Sequence, residues 1–131
     1  MKRIGLLIMM LMMICGVCSA KDANWEYIGH NTTTREGRVF DEQLWIDTNS
    51  VRVVKDGDKE IIKAVIKDIM NNNDSYNLKY MKVDRDSKIR NYYHNEVYQS
   101  GKLTMVMDDI GIHLYSSDDI ITNAILKKAN I

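Results

Sequence analysis

"KEIIKAVIKDIM", residues 59–70, fits two periods at once. Ile61, Ile62, Val65, Ile66 and Ile69 fall on one helical stripe, whereas Ile62, Ala64, Ile66 and Met70 form one face of a strand. Two observations decide for the strand. Asp56-Gly57, just upstream, is a dipeptide that closes hairpins between β-branched runs. The segment is also rich in Ile and Val, whose stiff side chains suit a pleated surface. As a helix, residues 59–70 would break the sheet in two; as a strand, they form its centre.

Working outward, Trp25 and Tyr27 open a first strand at "NWEYIGHN", followed by a polar "NTTTREG" that reads as a loop. "RVFDEQLWIDTNSVRVV" supplies a strand, a turn at Asp47-Thr48-Asn49-Ser50 and a short strand over 51–54, since short polar side chains there compete for backbone hydrogen bonds. Leu78 to Val83 makes another strand, "DRDSK" a turn, and Ile89 to Tyr98 a further strand. Ser100-Gly101 turns the chain back through Leu103 and Met105. The end, "SSDDIITNAILKKAN", carries helix signals: Ser117 as cap, Asp118 and Asp119 at the positive end of the dipole, and Lys127 and Lys128 at the negative end. Ile121, Ala124, Ile125 and Lys128 share a stripe. The fold expected is α+β: an antiparallel sheet of about five to six strands with a C-terminal α-helix packed on one face.

The amino end, "MKRIGLLIMMLMMICGVCSA", places Lys2 and Arg3 before an apolar run and small residues before Ala20. That run is too short for a spanning helix, which needs about 20 apolar residues, and it has the form of a secretory signal peptide cleaved after Ala20. Cys15 and Cys18 are the two cysteines, and inside a leader their Cys-x-x-Cys spacing has no folded scaffold to carry redox or metal chemistry. Lipidation at Cys18 is the alternative; Val17 and Cys15 are not the residues such processing favours. The domain expected is 21–131, an exported chain in the periplasm or outside the cell, with no membrane span once the leader is removed.

Of the 131 residues, 111 follow the leader, enough for one core. They hold eighteen acidic and sixteen basic residues, a formal charge of −2, which gives nucleic acid no basic patch to bind. They contain no proline and no cysteine, so apolar burial alone must hold them together.

In this order and spacing, "WEYIG", "LWIDTNSVRVVKDGDK", "KVDRDSK", "VYQSGK" and "SSDDIITNAILKKA" resemble the landmarks of the bacterial surface-adhesin protein E family, from about Trp25 to Lys128. Arg85 stands where members often carry a cysteine, and Ser116-Ser117 replaces the proline before the helix. The resemblance implies an exported bacterial protein with a sheet-plus-helix fold that binds host matrix or envelope proteins.

Catalytic and metal patterns are weak. His30, His94 and His113 have no ligand-spaced neighbours. Cysteine nucleophiles are lost with the leader, and Ser50 lacks a nucleophile elbow. "DRDSK" and "NNNDS" lack the Gly and distal Glu of a calcium loop and read as turns. Asp108-Asp109 reads as loop polarity. The residues therefore suggest a binding module with neither enzymatic activity nor a cofactor. Tyr92, Tyr93 and Tyr98 lie on one strand and point to both faces of the sheet, so at least one should lie on the outer side near Arg90 and Lys102; tyrosine flanked by cations suits a protein contact surface. Edge-strand binding of peptides or envelope components is the alternative.

Overall fold

A computed structural model describes residues 22–70 and 75–130. The leader at 1–20 and most of the "NNNDS" cluster lie outside the described residues. Seven strands precede one helix: β1 (Trp25–Arg35), β2 (Arg38–Asp47), β3 (Arg52–Asp56), β4 (Lys59–Met70), β5 (Ser75–Asp84), β6 (Ile89–Gln99), β7 (Lys102–Leu114) and α1 (Ile120–Lys128). The order across the sheet is β1-β2-β4-β5-β6-β7, all antiparallel. β3 pairs with β4 beyond the end of β2, so β2 and β3 share one side of that strand. The expected α+β architecture holds, with one strand more than the count anticipated.

Residues 59–70 are extended. Ile62, Ala64, Ile66 and Asp68 are buried, and the residues between them are only half-buried, so the period is two. Gly57, at φ +64, takes the first position of the two-residue loop to β3 and supplies the left-handed backbone that the hairpin demands. At the reversal from β5 to β6, Asp84 Oδ1 accepts a hydrogen bond from the Ser87 amide at 3.2 Å, which holds the Asp84 carboxyl below its usual range. "DRDSK" is thus a turn, as anticipated.

Three expectations need correction. "NTTTR" is not a loop: Thr32, Thr33 and Thr34 pair with Asp41, Phe40 and Val39, and the reversal is confined to Glu36-Gly37. β-Branched threonine suits a strand as well as it suits a turn, and the Glu-Gly pair was the real break. Asp108 and Asp109 are likewise in β7, which continues to Leu114 around a bulge where Asp109 has φ +51. The helix cap is Asp119 rather than Ser117: the Asp119 side chain accepts hydrogen bonds from the Ile121 and Thr122 amides at 3.1 and 3.3 Å.

Ile121 and Ile125 of α1 press onto Leu44, Ile46, Ile62, Ala64, Ile66, Met81 and Val83, and this cluster is the core. Lys128 closes the helix end by pairing with Glu26 at 2.6 Å. α1 covers β1, β2 and β4 at one end of one face. Among the described residues, the far end of that face, the whole opposite face and the outer edge of β7 carry no other element. Among the described residues no helix is long and apolar enough to cross a membrane.

Candidate binding surfaces

Pairing register sends the residues of β6 alternately to the two faces, and the anticipated contact set divides accordingly. Arg90 and Tyr92 lie on the helix face. Arg90 donates to Asp119, the helix cap, and its guanidinium carbon sits 5.4 Å from the Tyr92 ring centroid. Tyr93 and Tyr98 lie on the opposite face. Lys102 begins β7, exposed beside the hairpin turn. The five residues do not make one patch.

The open face is richer than the sequence suggested. Lys67 Nζ lies 4.4 Å from the Tyr76 ring centroid and 5.5 Å from that of Trp25, while Lys82 and Lys63 approach Tyr93 at 4.7 and 5.6 Å. Tyr76 stacks on Tyr98 at 4.8 Å with planes 9° apart, and Tyr27 meets Trp45 edge-on at 5.3 Å. Cross-strand neighbours build this ladder: Trp45 opposes Lys67, and Tyr76 opposes both Ile69 and Tyr98. Apart from Tyr27, which is exposed, the rings are half-buried by one another and by lysine stems.

The ladder ends at a polar knot beside β7. Tyr80 and Tyr98 hydroxyls both donate to Glu96 Oε1, at 3.1 and 3.3 Å, and burial followed by the Glu96 charge pushes the Tyr80 phenol up to about 12. His94 bridges two carboxylates, with Nδ1 2.5 Å from Asp108 Oδ1 and Nε2 3.3 Å from Glu96 Oε2. Its bonds to Asp108 first and Glu96 second raise its pKa above the usual histidine range. His113 lies on the other face, 6.2 Å from the Tyr92 ring, so the two histidines do not converge on one pocket.

β7 is the most exposed strand. Among the described residues it pairs only with β6, so the backbone groups along its outer side have no neighbouring strand there. Its apolar side chains are exposed on both faces, from 37% at Met107 to 80% at Leu114. Leu103, Val106 and Ile112 oppose open-face residues of β6, whereas Met105 and Met107 oppose Val97 and Asn95 of the helix face. From Leu103 through Met107 the strand carries no charge. Proteins blunt such edges with charge, proline or bulges; here Lys102, Asp108 and Asp109 supply charge and a bulge lies at Asp109, all outside Leu103 to Met107. The apolar residues of 103–114 were the signal for this edge in the sequence; the aspartates at 108 and 109 masked it.

No protein-family model matches the chain, and no match is found among curated proteins or solved structures.

Proposed function

We propose that this chain is an exported, non-enzymatic protein-binding module that takes an extended segment of a partner along β7 as an added strand. One observation carries the reading: an uncharged, mostly apolar run, Leu103 to Met107, lies on a strand with no neighbour on its outer side among the described residues. Backbone hydrogen bonds along such an edge give affinity, and alternate side chains give selectivity. Tyr98 and the aromatic ladder beside it extend the contact surface onto the open face. The partner class follows from the resemblance to surface-adhesin protein E: a host matrix or envelope protein met outside the cytoplasm.

A displayed library of random heptapeptides tests the reading against residues 21–131. The selected peptides should carry apolar residues at alternate positions and lose binding to Met105→Pro, which removes a backbone donor and bends the edge. Selection of no peptide, or of peptides that bind Met105→Pro as tightly as the parent, contradicts the proposal. Export is tested separately by the mass of the mature amino terminus: a start at Lys21 agrees with a cleaved leader, and a diacylglycerol-modified Cys18 shifts the reading to an anchored protein.

A further inference from the structure

On the helix face, beyond the end of α1, the sheet forms a groove with a polar floor. Two cavities of about 590 and 410 Å³ meet there and share Glu42, Asp68, Lys79 and Tyr92 as walls. Each lies within the roughly 300–1,000 Å³ of small-molecule sites. Asp68, 1% exposed, accepts a 2.9 Å hydrogen bond from Lys79 on Oδ2. Its Oδ1 has no partner among the described residues. Asn95, which lines the smaller cavity, and Arg90, which lines the larger, each likewise have one buried atom without a partner among the described residues, Oδ1 and Nε. Asn95 is itself only 6% exposed.

Buried polar atoms are rarely left unbonded, and each one costs free energy until something reaches it. Two of these atoms accept and one donates. Asp68 pairs with Lys79 and Asp119 with Arg90, and Glu42 and Asp118 add further carboxylates to the walls. A cationic ligand would be drawn to those carboxylates and could satisfy the acceptors, but it would leave Arg90 Nε unbonded. An anion would meet Asp68 and leave both acceptors unbonded. A hydroxyl group donates and accepts at once. Hydroxyls on a neutral ring can meet either kind of atom, with Met70 and Ile110 offering apolar wall to the ring carbons.

We propose that this groove is a binding site for a neutral polyhydroxyl ligand of monosaccharide size. The site is separate from the outer edge of β7 and does not depend on the protein-binding reading. Amide NMR titration of residues 21–131 with glucose, galactose, mannose and N-acetylglucosamine, each alone, tests it, with spermidine and citrate as charged controls. At least one sugar should give saturable shifts centred on Lys79, Tyr92 and Asn95. Asn95→Ala should weaken that binding about tenfold, as expected for a lost buried hydrogen bond. Ile110→Trp, at an exposed position on the groove wall, should block binding with the fold intact. Saturable shifts from no sugar, shifts confined to another surface, or binding of spermidine or citrate in the groove without any sugar would each overturn the proposal.

Discussion

Replacing Lys79 with methionine should cost about 3–5 kcal/mol, the usual cost of leaving a buried carboxylate without its partner. Asp68 is 1% exposed, and the Lys79 ammonium provides its one hydrogen bond among the described residues. Methionine keeps the volume and removes the charge. The reverse deletion is milder: Lys79 is 23% exposed and lies 5.6 Å from the Tyr92 ring, so in Asp68→Leu its ammonium can turn toward water, at a cost of about 1 kcal/mol. The double variant Asp68→Leu with Lys79→Met removes both charges and should return to within about 1 kcal/mol of the parent. Urea unfolding reads all three. With a slope of about 1–3 kcal/mol per molar, Lys79→Met should lower the midpoint by roughly 1–5 M at unchanged slope. A cost under about 1 kcal/mol for Lys79→Met, or a double variant no more stable than that single one, refutes the asymmetry.

Three further outcomes follow from named contacts. Hydrogen bonds to Asp108 and Glu96 raise the His94 pKa, so the stability that its charged form contributes is complete below the unfolded value of about 6.5 and lost as pH rises through the higher folded value. Amide exchange of β7 near Asp108 should therefore quicken across that interval, and His94→Gln should flatten the profile. Asp119→Ala removes both the helix cap and the partner of Arg90 and should cost about 2–3 kcal/mol. Asp119→Ser, which keeps a capping oxygen, should recover about 1 kcal/mol of that loss in thermal or urea unfolding. Ile125→Ala opens a cavity between α1 and the sheet at a fully buried position and should cost about 2–5 kcal/mol by the same assays.

Most of the architecture was legible because the turns are local. Asp56-Gly57 and Ser100-Gly101 mark reversals that depend on no distant contact, and the alternation of β4 then places Ile62, Ala64 and Ile66 on one face. Asx- and threonine-rich stretches were harder. Thr32 to Thr34 and Asp108-Asp109 are polar enough for loops and become strand only because β2 and β6 lie alongside. The helix was legible to within two residues of its cap. The binding surfaces were less so. Alternation puts Asp68 on the buried face of β4, a charge among isoleucines, and that was the available sign of the groove. Its pairing with Lys79 depends on the register between β4 and β5, which no local pattern carries. The exposure of β7 depends on its being last in the order of the sheet, a property of topology and not of its residues.

Backbone hydrogen exchange along Lys102 to Asp108, resolved amide by amide in residues 21–131, tests the bare edge most directly. Amides bonded to β6 should be protected, and those pointing away from it should exchange close to the rate of unstructured chain, giving an alternating profile. The outward set should become protected when a selected heptapeptide is added. Uniform protection before any peptide is present would mean that the edge is already covered and would contradict the account.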